Sequence, residues 1–352
     1  MVDYTKVKLS MGDKIGLISN LSTLLTAGIP ILDAVRSMGE DSKGGVKIIL
    51  DALQEDITQG KHVYVSFQKF PKVFDRVTVN VVKASEEAGT LDITLKDLRE
   101  NIRKQGEFND KVRSALIYPS FIVALFFAVL LINLVYVIPK IAVVFKNLNI
   151  PLPLPTRILI FISDIMLKYT YPFLGGVVIF GVLGYILFTK KKSFFLNLIY
   201  KLPIVSELVK LIDLTRLTRS MHLLLYSGIP INAALELVED VAARNETIKV
   251  IRASREMVLT GKPFSEGLKT GKGYIPSIMI KLVEAGEKTG SLDKSLQDVS
   301  EYFDYQVTKT LATFTAVLEP IMLVAVGIVV GGMMLSIIAP IYGLVGQIGA
   351  IK

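Results

Sequence analysis

The chain contains no cysteine and no tryptophan, and only two histidines in 352 residues. Without cysteine there is no disulfide framework, no thiolate nucleophile and no Cys-ligated zinc or iron–sulfur cluster. With His62 and His222 as the sole imidazoles, metalloenzyme and Ser-His-Asp readings are nearly excluded by count. The start, MVDYTK, shows no apolar stretch of the kind a cleavable signal peptide needs, and the N-terminus is expected in the cytoplasm. Phosphate loops are missing too. Gly60-Lys61 and Gly261-Lys262 are preceded at the critical position by Glu55 and Glu256, so neither fits G-x-x-x-x-G-K-[ST].

Apolar residues are plentiful. They make up 51% of the chain, which carries a formal net charge of +8 and a mean hydropathy of +0.51. That average is too apolar for an ordinary soluble enzyme. Three long uncharged runs hold the excess, at 120–139, 169–189 and 320–340. Each has roughly 20 residues, enough to cross about 30 Å of hydrocarbon as a helix. Three transmembrane helices are expected. Lys190, Lys191 and Lys192 follow the second run and Arg103, Lys104, Lys111 and Arg113 precede the first, so these flanks belong on the cytoplasmic side.

The remaining sequence repeats. Leu24, Leu25, Gly28, Ile29 and Pro30 recur as Leu224, Leu225, Gly228, Ile229 and Pro230, an offset of 200. Further along the offset is 201: Gly60-Lys61 matches Gly261-Lys262, and the segment 82–92, with Glu86, Gly89 and Asp92, matches 283–293, with Glu287, Gly290 and Asp293. Tyr118-Pro119 then matches Glu319-Pro320, and Pro139 matches Pro340. Each copy reads as a helical domain followed by one span. If both domains face the cytoplasm, an even number of crossings separates them, and the unrepeated run 169–189 supplies the second. The expected organisation is a bundle over 1–118, a span at 119–139, an external loop at 140–168, a span at 169–189, an interfacial helix with the second bundle at 190–318, a span at 319–340 and a short external tail at 341–352.

Within copy one, Ser10 and Asp13 cap a helix with apolar positions Ile15, Ile18, Leu21 and Leu25. Gly28 suits the left-handed position after it and Pro30 the first turn of the next helix. Val46, Ile49, Leu50, Leu53 and Ile57 form a helical stripe ending at Gly60. A further helix is expected from Pro71 to about Ser85, and a long amphipathic one from Leu91 toward the membrane. Residues 193–214 read as lying along the inner surface. The fold class is therefore an all-α membrane protein, with two repeated cytoplasmic helical bundles and three transmembrane helices.

Few residues carry chemistry. The repeated turn at 284–293 ends one helix at Gly290 and starts the next near Asp293, and as a charged corner presented twice, with Gly286 and Glu287, it is a candidate docking surface. Glu319 beside Pro320 reads as an acid at the positive end of a helix dipole or as a partner contact. Gly327 and Gly331 form a small-xxx-small face for close helix packing, absent from the first span. The copies hold 17 basic and 16 acidic residues over 1–118, and 18 and 14 over 190–318, so no concentrated basic face for nucleic acid emerges. A secondary transporter would need ionisable residues at mid-membrane, where only Asn133 and Ser336 are polar.

The doubled L-L-x-x-G-I-P at 24–30 and 224–230, the G-E-x-x-G-x-L-D turn at 286–293 with its partner at 85–92, where Ser85 replaces the first glycine, and the pairs Tyr118-Pro119 and Glu319-Pro320 give the sequence a clear likeness. It resembles the type II secretion F / type IV pilus assembly platform family over nearly the whole chain. That resemblance implies a non-enzymatic, multi-pass inner-membrane scaffold without cofactors, and a homo-oligomer. It also implies contact with a hexameric assembly ATPase, with pilin or pseudopilin subunits and with other inner-membrane assembly proteins.

Overall fold

A computed structural model describes residues 3–147, 157–158, 160–161, 163–165 and 203–349. The expected second span lies outside the described residues, as do 193–202 of the expected interfacial stretch. Among the described residues the chain is helical without strands, with one isolated bridge between Lys272 and Ile275. The helices are α1 (Met11–Thr26), α2 (Ile31–Asp41), α3 (Gly44–Thr58), α4 (Val63–Gln68), α5 (Arg76–Ala88), α6 (Leu91–Ile132), α7 (Ile138–Asn147), α8 (Pro203–Tyr226), α9 (Ile231–Glu239), α10 (Asn245–Leu259), α11 (Phe264–Lys269), α12 (Ser277–Thr289) and α13 (Leu292–Gly349).

Two compact units divide the chain. The first combines residues 1–111 with 207–309, and the second combines 112–206 with 310–352. The two sequence repeats thus contribute to a single compact unit. Its core holds Ile18, Leu21, Leu53, Phe67, Phe70 and Phe74 from the first repeat and Leu224, Leu235, Met279, Val283, Leu296 and Phe303 from the second, all buried. Copy one meets copy two through Arg76 with Asp240 and through Lys104 with Glu301 and Lys111 with Asp304, each at 3.5 Å. The residues Leu208, Leu211 and Leu214 are buried in this unit. The stretch 203–214 is therefore the beginning of the long helix α8, not a separate surface helix, because its apolar side has a protein core to cover.

Glycine sets the helix ends in pairs. Gly28 and Gly228 stand at φ +81° and +79°, Gly60 and Gly261 at +76° and +80°, Gly89 and Gly290 at +70° and +71°. After each, the chain folds back on the last turn: Ile29 N–H donates to the Leu24 carbonyl and Ile229 N–H to the Leu224 carbonyl, both at 3.0 Å. Only glycine occupies that left-handed conformation without penalty. Pro30 and Pro230 follow at the N-cap positions of α2 and α9, one place earlier than the first helical turn. Ser10 caps α1, accepting from the Asp13 N–H at 3.1 Å and donating to its carboxylate at 2.7 Å.

Among the described residues, two helical stretches are long and apolar enough to cross a membrane, within Leu91–Val143 and within Leu292–Gly332. Both continue as helix from segments of the first unit. Pro119 and Pro320 are accordingly inside α6 and α13 and not at helix starts. The helix α13 also runs past Pro340 to Gly349. In the second unit the Asn133–Val137 segment takes a π-helical turn. Its Leu134 carbonyl accepts from the Ser163 hydroxyl at 2.6 Å, and Leu134 and Ile138 pack with Leu130, Val135 and Ile160.

Candidate functional site

The repeated acidic turn is a structural clamp. Glu86 leaves the last turn of α5 and its two carboxylate oxygens accept from the backbone N–H groups of Val63 at 2.7 Å and Tyr64 at 3.1 Å. These are orphan donors of the first turn of α4. Glu287 does the same from α12, accepting from the N–H groups of Phe264 and Ser265 at the start of α11. A carboxylate there also meets the positive end of the helix dipole. In this arrangement both carboxylates are engaged by backbone N–H groups. Asp293 lies in the first turn of α13, and its backbone carbonyl meets the His222 Nδ1 at 2.9 Å.

At the departure between the two turns, Gly286 has no room for a side chain, since a Cβ would meet Ser295 Cβ at 2.7 Å. Ser85, its counterpart, is buried and donates to the Val82 carbonyl at 2.8 Å. The helices α12 and α13 therefore approach closely where the first copy does not need to. Gly267 shows the same thing against Ser254 of α10, whose Cα would collide with an added Cβ.

Copy one places a charge where copy two packs closely. Asp56 is 1% exposed and accepts from Ser66 Oγ at 2.7 Å, Lys69 Nζ at 2.5 Å and Lys61 Nζ at 3.1 Å. Burial alone pushes its carboxyl up, but the bonds from Lys69, Ser66 and Lys61 outweigh it and hold the carboxyl below the usual range. Met257 stands at the equivalent position of copy two. Copy two buries Asp213 instead, which accepts from the N–H groups of Ala243 and Arg244 and from Thr247 Oγ1 at the start of α10. Tyr274 completes that network through Thr247 at 2.6 Å. Burial pushes its phenol up to about 12, against the bond to Thr247.

Where α6, α8 and α13 converge in the first unit, a cavity of about 280 Å³ is lined by Asp97, Lys104, Arg219, His222, Tyr226 and Glu301. Burial raises the Asp97 carboxyl, opposed by Lys96 and His222. Arg219 lies 5.5 Å over the Phe108 ring, and burial lowers it. No nucleophile–base pair is formed among these groups.

In the second unit, Glu319 is exposed at the middle of α13, so the sequence argument that placed it at a helix N-terminus fails. The helix dipole cannot account for it, because the preceding N–H groups are already paired within the helix. Glu319 shares a groove of about 100 Å³ with Tyr118, Pro119, Ile122, Met322 and Val326. At Gly327 and Gly331, no atom among the described residues lies within 4 Å of where a Cβ would stand. The small-residue face is open on that side of the described structure. Asn133 is satisfied locally, donating to the Val129 carbonyl at 2.9 Å.

Comparison with known proteins matches this organisation twice. The family described as type II secretion system (T2SS), protein F, matches residues 17–139 and again residues 217–340. The chain is 28% identical over 331 residues to the type IV pilus assembly protein PilC of Thermus thermophilus, covering 93% of this chain and 81% of that relative. It is 28% identical over 337 residues to the type II secretion system protein F of Pseudomonas aeruginosa, covering 94% and 82%. The type IV pilus assembly protein PilC of the same organism is 26% identical over 333 residues, covering 94% and 89%.

Proposed function

The chain belongs to the type II secretion system protein F family, and on that premise we propose that it is a platform protein of the inner membrane. In this reading three spans cross the bilayer, the N-terminus and both helical repeats face the cytoplasm, and copies of the chain associate. A cytoplasmic assembly ATPase engages the soluble unit. Its motion passes through the spans and draws pilin or pseudopilin subunits out of the bilayer into a growing fibre. The chain performs no chemistry itself, and the energy comes from the partner's ATP.

One observation carries the proposal. The helices α6 and α13 each begin in the first unit and continue as helix into stretches apolar enough to span a membrane. In this reading they are the path along which a displacement at their base is passed on. The relatives named for type IV pilus assembly and for type II secretion support the same assignment. A secondary transporter is less favoured, since Asn133, a polar side chain available to such a site, is bonded within its own helix. Deleting residues 1–113 is expected to abolish both co-purification of the ATPase and fibre assembly. Retention of both in the deleted chain would sink the proposal.

A further inference from the structure

Glu319 is an acid without a purpose inside the described structure. Its carboxylate is exposed and has no hydrogen bond or ion pair among the described residues. It stands at the edge of an apolar stretch whose most hydrophobic window is 0% buried. At that edge the carboxylate stays charged and is available to a cation at the end of a partner's span. The first repeat has Tyr118 at the matching position, so the acid is not a requirement of the span itself.

The surroundings specify what the partner looks like. The groove at Glu319, lined by Tyr118, Ile122, Met322 and Val326, is followed along the same two helices by a second of about 150 Å³, lined by Leu125, Phe126, Val129, Val329 and Val330. From Thr315 to Val330 this furrow extends for about 22 Å at the helical rise. Its length fits most of a membrane-spanning helix, and its walls accept only an apolar one. The single charge at its head calls for a cation, and the Tyr118 ring beside it adds a face that attracts one.

We propose that this furrow is the docking site for a partner's apolar transmembrane helix bearing a positive group, such as a free α-amino group, at the end that meets Glu319. The inference rests on the platform reading, in which membrane-embedded subunits are handed through the protein, and it locates where such a subunit is held.

The absence of tryptophan and cysteine makes the test direct. The full chain carrying Val317→Cys, labelled with dansyl, is reconstituted in phosphatidylcholine vesicles. A leucine–alanine helix of roughly 20 residues with one tryptophan is added, with its N-terminus either free or acetylated. Energy transfer is expected to half-saturate at about tenfold less peptide for the free amine, the size of a charge-assisted contact at a desolvated site. Glu319→Gln removes that preference and Glu319→Asp keeps it, while thermal unfolding of both variants matches the parent. Equal binding of the two peptides, or a preference that persists in Glu319→Gln, overturns the proposal. So does a preference that appears only after Lys190→Gln, Lys191→Gln and Lys192→Gln together, because the chain's own basic segment would then hold Glu319. Self-association of labelled chains that depends on Glu319 without any amine preference overturns it as well, in favour of a second copy. If the peptide fails while ATPase binding and fibre assembly survive Glu319→Gln, this inference falls and the platform reading stands.

Discussion

The carboxylate of Glu86 accepts the backbone N–H of Val63 at 2.7 Å, reaching back 23 residues to hold the first turn of a six-residue helix. A helix that short does not persist alone in water. Its position in the bundle therefore depends on tertiary contacts, among which Glu86, and Glu287 for its counterpart, are directional.

Replacing either glutamate tests this role. Glu86→Ala and Glu287→Ala each leave two N–H groups without their acceptor, at a cost of about 1–2 kcal/mol. Thermal unfolding of the full chain, followed by helical circular dichroism, should fall by roughly 2–4 °C per kcal/mol. The two effects should add, because the clamps share no residue. Unchanged unfolding with loss of partner binding would instead mark these acids as docking groups.

Asp56 makes the first unit sensitive to acid. Its folded carboxyl is held below the usual range, so the stability it contributes is present above the unfolded value and is lost as pH falls through the folded one. Asp56→Asn should flatten the acid limb of a stability–pH profile. Tyr274 acts at the other extreme. With its folded phenol raised to about 12, its contribution is present at neutral pH and declines as pH climbs from the unfolded value toward 12. Tyr274→Phe should remove that alkaline decline, measured by denaturant unfolding.

Three glycines should respond to alanine in a fixed order. Gly267→Ala places a methyl against Ser254 and should cost about 1–3 kcal/mol by overpacking. Gly28→Ala has open space but a φ of +81°, and should cost about 1 kcal/mol. Gly327→Ala meets nothing within 4 Å among the described residues and should leave unfolding unchanged. A reversed order in thermal melts would contradict the packing described.

The all-α class, the paired glycine turns and the long apolar stretch of α6 were all legible in the sequence, because they depend on local rules: helical spacing, positive φ and uninterrupted apolar runs. The clamp was not. Nothing within a few residues of Glu86 points to Val63, and the only available clue was that Glu86 and Glu287 repeat at the same offset as the glycines. The short helices α4 and α11 were missed for the same reason, since six residues carry too little periodicity. Glu319 was misplaced because Pro320 suggested a helix start, whereas the helix passes through it, its lost N–H bond outweighed by the continuous apolar stretch on either side.

In the platform reading, force passes from the first unit toward the membrane along α6 and α13. It is tested most directly in vesicles containing the full chain, a fluorescent pilin-like subunit and the assembly ATPase, by measuring ATP-dependent loss of the subunit from the bilayer. Extraction should require ATP and the chain. It should stop when four glycines are inserted between Lys111 and Val112, where the first compact unit ends on α6, even though the ATPase still binds. Extraction at an undiminished rate through the glycine insertion would contradict the account.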